Sequence, residues 1–238
     1  MFNKAAYIKT LQDTGIYTNA DAEKLAEKMQ MKYSTIKRGP KVIHLDYYGS
    51  VLDENDISEI EHEVNNAGLE LSRFDKSGVA FASVDDYTLH IALFISSPIS
   101  KLIFEHLGKN IAWEVVKASA IKIWRKVKSK RDTQQSTGVP KKVNVGLRIS
   151  LDNGKITDFH LDGELAEETV LIVMDKVLNY SERQNQLPVD PGDMPGFVEY
   201  DEELDELKLV DVMQEFRKMA EAQAAKRKAG SAGNASES

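Results

Sequence analysis

The chain has no cysteine. Disulfides, thiolate metal sites and a cysteine nucleophile are therefore excluded. Long apolar runs are missing too. Leu89–Ile95 and Val170–Met174 are the most apolar stretches, far below the roughly 18 residues that cross a bilayer. The first residues, Met1-Phe2-Asn3-Lys4-Ala5-Ala6-Tyr7, lack the apolar centre of a signal peptide. There is no Gly-rich phosphate loop, no Gly-x-Gly-x-x-Gly, no Gly-x-Ser-x-Gly, no His-Glu-x-x-His and no EF-hand loop. These absences predict a cytoplasmic protein that needs no membrane and no cofactor.

What is present is charge sorted into blocks. Val115–Lys142 holds nine Lys or Arg and one acid, a net of +8. Val189–Glu215 holds ten acids and one Lys, a net of −9. The whole chain carries −7, so it is not a general polyanion binder, and any nucleic-acid contact would be local. Blocks of this kind govern association and partner choice more than fold. The basic block has Trp113 and Trp124 beside it. Cations with aromatics bind nucleic acid. Cations at the end of a helix also suit its dipole, and the tryptophans then belong to the core.

Residues 1–39 read as a helical arm, Lys4–Gln12 and Asn19–Met31, with Gly15 between and Asn19 or Asp21 as a cap. Residues 40–183 read as the core domain. Within it, strands are expected at Lys41–Tyr48, Leu69–Phe74, Tyr87–Ile95, Val143–Leu151 and Lys155–Leu161. Helices are expected at Asp53–Asn66, from Ser97-Pro98 through to about Lys130, and at Glu164–Tyr180. Asp152-Asn153-Gly154 is a hairpin turn. Residues 184–200, with Pro188, Pro191 and Pro195, read as a linker. Residues 201–228 read as an amphipathic helix with Leu204, Leu207, Val210, Met213 and Phe216 on one stripe, and 229–238 as a disordered tail. The fold expected is α+β: a mostly antiparallel sheet packed by helices on one face, with an N-terminal arm and a tethered C-terminal helix.

Two tripeptides repeat, His44-Leu45-Asp46 and His160-Leu161-Asp162. The two-residue period of a strand puts His and Asp of each on one face. His90 and Arg148 stand in the same relation to their apolar neighbours. One sheet face is thus expected to gather His44, Asp46, His90, Arg148, His160 and Asp162. Imidazoles with carboxylates bind metals and activate water, or serve as general acid and base. An antiparallel sheet covered on one face also shows polar residues on the other without any site. His62 and His106 read as ordinary helix residues.

Residues 40–183 run as a strand, a helix, two strands, then Pro98-Ile99-Ser100-Lys101-Leu102-Ile103-Phe104-Glu105-His106-Leu107-Gly108-Lys109-Asn110 into a basic helix ending Ile123-Trp124-Arg125-Lys126, then a hairpin and a helix. In this order the chain resembles the small α+β components that accompany effectors in bacterial conflict and defence systems. The resemblance implies a non-enzymatic adaptor. Phe2-Asn3-Lys4-Ala5-Ala6-Tyr7-Ile8-Lys9-Thr10-Leu11 with Ala22-Glu23-Lys24-Leu25-Ala26-Glu27 is similar to the head segment of mitochondrial-uniporter-regulator-like coiled-coil proteins, whose long coiled coil does not follow here.

The sequence favours an adaptor or scaffold that binds a protein partner or itself. Its binding residues would be Lys122, Arg125, Lys126, Lys128, Lys130 and Arg131 on the basic side and Leu204, Leu207, Val210, Met213 and Phe216 on the apolar side. The alternatives are a metal-dependent hydrolase or nuclease using the His/Asp face, with His44, Asp46, His160 and Asp162 as ligands, and a nucleic-acid module using 115–142.

Overall fold

The computed structural model describes residues 2–77, 88–105, 111–134, 142–189 and 196–211. They form an α+β fold around a seven-stranded mixed sheet. The elements are α1 Lys4–Asp13, α2 Asn19–Ser34, β1 Val42–Tyr47, α3 Glu54–Asn66, β2 Glu70–Asp75, β3 Thr88–Ile95, α4 Ser97–Glu105, α5 Ile111–Gln134, β4 Lys142–Ser150, β5 Ile156–Asp162, α6 Glu167–Asn185, β6 Gly196–Asp201 and β7 Glu206–Val210. Strand order is β2-β1-β3-β4-β5-β6-β7.

The sheet is not mostly antiparallel. Parallel pairs (β1/β2, β3/β4, β5/β6) alternate with antiparallel ones (β1/β3, β4/β5, β6/β7). The helices between β1 and β2, β3 and β4, and β5 and β6 are crossovers, and a crossover joins parallel strands. Alternating burial in β1 shows the result: Ile43, Leu45 and Tyr47 point into the core, His44 and Asp46 away. Ile91, Leu93, Ile95, Val145, Leu147, Ile149, Phe159, Leu161 and Val198 join the same core beneath α3 to α6.

The centre of that core is α5. Trp113, Val116, Ala120, Ile123, Trp124 and Val127 are buried along it. The Trp124 Nε1–H donates to the Asp162 carbonyl at 3.0 Å, so the ring meets its one polar need inside the fold. Asp53 caps α3 through a capping box with Asp56.

The helices do not all lie on one face. α1 and α2 pack on the opposite side, at the β2 edge. Tyr33 of α2 lies 4.9 Å from Phe74, and the Lys37 N–H donates to Ser72 Oγ. Ser72 and Phe74 sit beside His44 and Asp46 in register. Lys32 Nζ latches the arm, donating to the carbonyls of Asp75 and Ser77 at 2.7 and 2.8 Å. Thr18, not Asn19 or Asp21, caps α2, its Oγ1 accepting the Asp21 N–H.

The helix expected over 201–228 is a strand hairpin as far as Val210; 212–228, and with them Met213 and Phe216, lie outside the described residues, as does 229–238. Asp201 has the residue type of a helix cap. Its Oδ1 instead accepts the N–H groups of Glu203 and Leu204, an Asx turn that bends the chain back. Asp205 closes the turn at φ 50. Its carboxylate accepts the Tyr200 hydroxyl, a bond that pushes the phenol up to about 12. The ends of the expected linker belong to regular elements, α6 to Asn185 and β6 over Gly196–Asp201; 190–195 lie outside the described residues.

Truncating Trp124 to Ala leaves a large void. It is expected to lower unfolding stability by about 3–5 kcal/mol, read by urea titration; a loss below about 1 kcal/mol contradicts the placement of α5. The arm makes a second prediction. Burial raises the Asp75 carboxyl, but hydrogen bonds from Ser77 and Gly49 and the Lys32 cation outweigh it, so the net shift is downward. A depressed carboxyl stabilises the fold above its unfolded value, near 3.9, and that share is lost as pH falls through the folded value. Amide exchange in α1 and α2 should therefore rise below about pH 4 before that of β1 and β3, and Lys32→Met should raise it at neutral pH.

Candidate functional site

The face of the sheet turned away from α3–α6 carries two rows of side chains. One runs Ser72, His44, Phe94, Arg148, Asp158, Phe197 from β2 to β6. The next runs Phe74, Asp46, Ala92, Gly146, His160, Glu199. The arm covers the β2 end. No described helix covers β3 to β6 on this side.

Ala92 and Gly146 are adjacent and small, so the second row is low at its middle. The result is a hollow of about 300 Å³, floored by Ala92 and Gly146 and walled by Phe94, Arg148, Asp158, His160 and Phe197. Arg148 is held in place. Its Nε and Nη2 donate to Asp158 Oδ1 and Oδ2 at 2.5 and 2.7 Å, a fork-to-fork pair. Its guanidinium lies 5.6 Å from the Phe94 ring centre. The Asp158 side chain is 8% exposed and that of Arg148 44%. The hydrogen bond to Asp158 raises Arg148 further above its ordinary value, so the cation is permanent. His160 meets Phe197 edge-on at 6.1 Å.

A second cluster lies on β1. His44 Nδ1 is 3.0 Å from Ser72 Oγ, and Nε2 is 2.9 Å from Asp46 Oδ1. Lys76 Nζ stands 3.4 Å from Asp46 Oδ2. Ser, His and Asp in series resemble a nucleophile with its base. Ser72 is only 1% exposed, and its Oγ already accepts the Lys37 N–H. The cluster therefore ties the arm to the sheet and presents no nucleophile.

By register the six expected residues fall on one face, but they do not converge on one point. Three strand spacings separate His44 from His160, about 14 Å, too far to ligate one ion. No group of three His, Asp or Glu that could hold a metal occurs among the described residues. By register His90 lies on this face, opposite Asn144; its side chain is outside the described ones. Asp162 lies there too, but its Oδ1 accepts the Glu164 N–H and closes the turn after β5.

The described cations of the basic block pair within the chain. Lys122 pairs with Glu59 and Glu63, and Lys126 with Asp56, all on α3. Arg125 pairs with Glu167 and Lys117 with Asp175, both on α6. Lys128 donates to the Leu165 carbonyl and lies over Trp124. These cations brace α5 against its two neighbours. The side chains of Lys130 and Arg131 are outside the described ones. On the apolar side, Leu207 and Val210 alternate across β7 rather than sharing a helical stripe, and Leu204 is exposed in the turn.

Larger clefts exist elsewhere. One of about 580 Å³ is walled by the first residues and the α2–β1 connection, with Arg38 its one charged lining residue. Another of about 470 Å³ lies between α6 and the β6–β7 turn, where Lys176 is already paired with Asp205. Of these three among the described residues, the smaller hollow is the one that combines a formed floor, aromatic walls and an oriented cation.

Sequence reasoning missed Phe94, Asp158, Phe197, Ala92 and Gly146. Part of the signal was available. The turn centred on Asn153 places Arg148 opposite Asp158 and Gly146 opposite His160. Phe94 is an aromatic residue on the face opposite Leu93 and Ile95. No family model, curated protein or solved structure matches the chain.

A double-mutant cycle checks the wall of the hollow. Arg148→Ala and Asp158→Ala are expected to be non-additive in unfolding stability by about 0.5–3 kcal/mol, because each removes the same pair. Strict additivity contradicts the bidentate contact.

Proposed function

We propose that this chain is a non-enzymatic interaction protein, an adaptor that holds a protein partner on the open face of its sheet. The observation that carries the reading is the hollow over Ala92 and Gly146, an apolar floor with oriented polar walls. Concave sites with few, fixed polar groups are where ligands bind.

Charge separates this reading from its alternatives. A nucleic-acid platform needs an unbalanced positive field as well as aromatics. On this face Arg148 is matched by Asp158 and Lys76 by Asp46. The described cations of the 115–142 block are engaged with α3, α6 and the chain leading into α6. A hydrolase needs a presented nucleophile or clustered metal ligands, and Ser72 is buried while His44 and His160 stand apart. A partly aromatic face without an excess of positive charge among its described residues suits a protein surface.

Selection of a random peptide library on the purified protein tests the reading. Enriched peptides are expected to bind wild type and to lose at least about tenfold in affinity against Ala92→Leu or Gly146→Val, which fill the hollow. Circular dichroism must show both variants folded. Peptides that bind the filled variants as well as wild type, or a library that yields none, overturn the reading.

A further inference from the structure

We propose that the hollow takes a carboxylate of the partner, read by the outer edge of Arg148. The inference rests on the reading of the open face as a recognition surface and names what that surface recognises.

A guanidinium has five N–H donors in a planar fork. Asp158 takes the Nε hydrogen and one from Nη2. The other edge, formed by Nη1 and the second Nη2 hydrogen, has no hydrogen-bond partner among the described residues. That edge has the spacing of a carboxylate's two oxygens. Its orientation is set before any ligand arrives. Asp158 holds one edge from a nearly buried position, and the guanidinium lies over the Phe94 ring. A side chain fixed in this way loses little freedom on binding, which is where much of the cost of recognition lies.

The charge count points the same way. Asp158 cancels the charge of Arg148 but not its donors, so a carboxylate gains two directed bonds without meeting a broad positive field. A polyphosphate would lack the surrounding cations it needs. The floor adds a second requirement. The Ala92–Gly146 floor offers no side chain larger than a methyl group, with Phe197 and His160 also lining the hollow. A carboxylate carried beside a planar apolar group satisfies both parts of the hollow.

The test uses the full chain labelled with nitrogen-15 and two isosteric probes, phenylacetate and phenylacetamide. Phenylacetate is expected to shift the backbone amides of Ala92 and Gly146 and the Arg148 Nε–H signal in a saturable way. Phenylacetamide should bind about tenfold more weakly or worse. Arg148→Lys keeps the charge but lacks the fork, and should abolish the preference for the acid. Equal binding of acid and amide overturns the carboxylate assignment while leaving the hollow a binding site. If neither probe moves these signals, the assignment also fails; if the library peptides are in addition indifferent to filling the hollow, the adaptor reading falls with it. The source of the carboxylate is decided by N-acetyl-phenylalanine, which mimics a chain end, against N-acetyl-glutamate methylamide, which mimics an acidic side chain. The tighter of the two names it.

Discussion

Three parallel crossovers place α3, α4, α5 and α6 on the same side of one sheet, and the rest of the molecule follows from that placement. A helix that links two parallel neighbours must lie over the sheet. With all three crossovers on one side, that side becomes the core. The other side keeps whatever side chains the strand period sends there. At the β2 edge those are Ser72 and Phe74, and the arm covers them. Further along they are Phe94, Arg148, Asp158, His160 and Phe197, and they surround a floor of Ala92 and Gly146. The hollow is thus a product of topology and of two small residues at neighbouring positions.

The blocks of charge have an internal role. α5 packs between α3 and α6, and the acids on those helices face its cations. Exposed ion pairs are weak singly, typically about 0.2–1 kcal/mol. Their value here is positional: they hold the rotation of α5 so that Trp113 and Trp124 point into the core. The acidic block is divided. Its described part becomes the β6–β7 hairpin, where Lys208 pairs with Asp201 and Tyr200 donates to Asp205. The described parts of the two blocks each complete a local structure.

Much of the fold was legible in the sequence. The α+β class, the helices around Asp53–Asn66 and after Ser97, and the hairpin at Asn153 follow from caps, period and turn chemistry. Strand order did not follow, because crossover partners are far apart in sequence and nothing local encodes which edge a strand joins. The C-terminal hairpin was misread for a specific reason. Leu204, Leu207 and Val210 fit helical spacing, yet Leu207 and Leu209 also alternate, and Asp201 serves equally as a helix cap or an Asx turn. The site was half legible. Strand period put His44, Asp46, His90, Arg148, His160 and Asp162 on one face. It was silent on the hollow, which depends on side chains that are absent at Ala92 and Gly146, and on Phe94 and Phe197 arriving from β3 and β6.

The central claim is that no described element covers the β3–β6 face, while α3 to α6 cover the other. Hydroxyl-radical footprinting of the native chain, read by mass spectrometry, measures this directly. The account predicts strong oxidation of Phe94, Phe197 and His160 and little of Phe159, Trp113 and Trp124, although Phe159 is the chain neighbour of His160. Protection of Phe94 and Phe197 equal to that of Phe159 would contradict it.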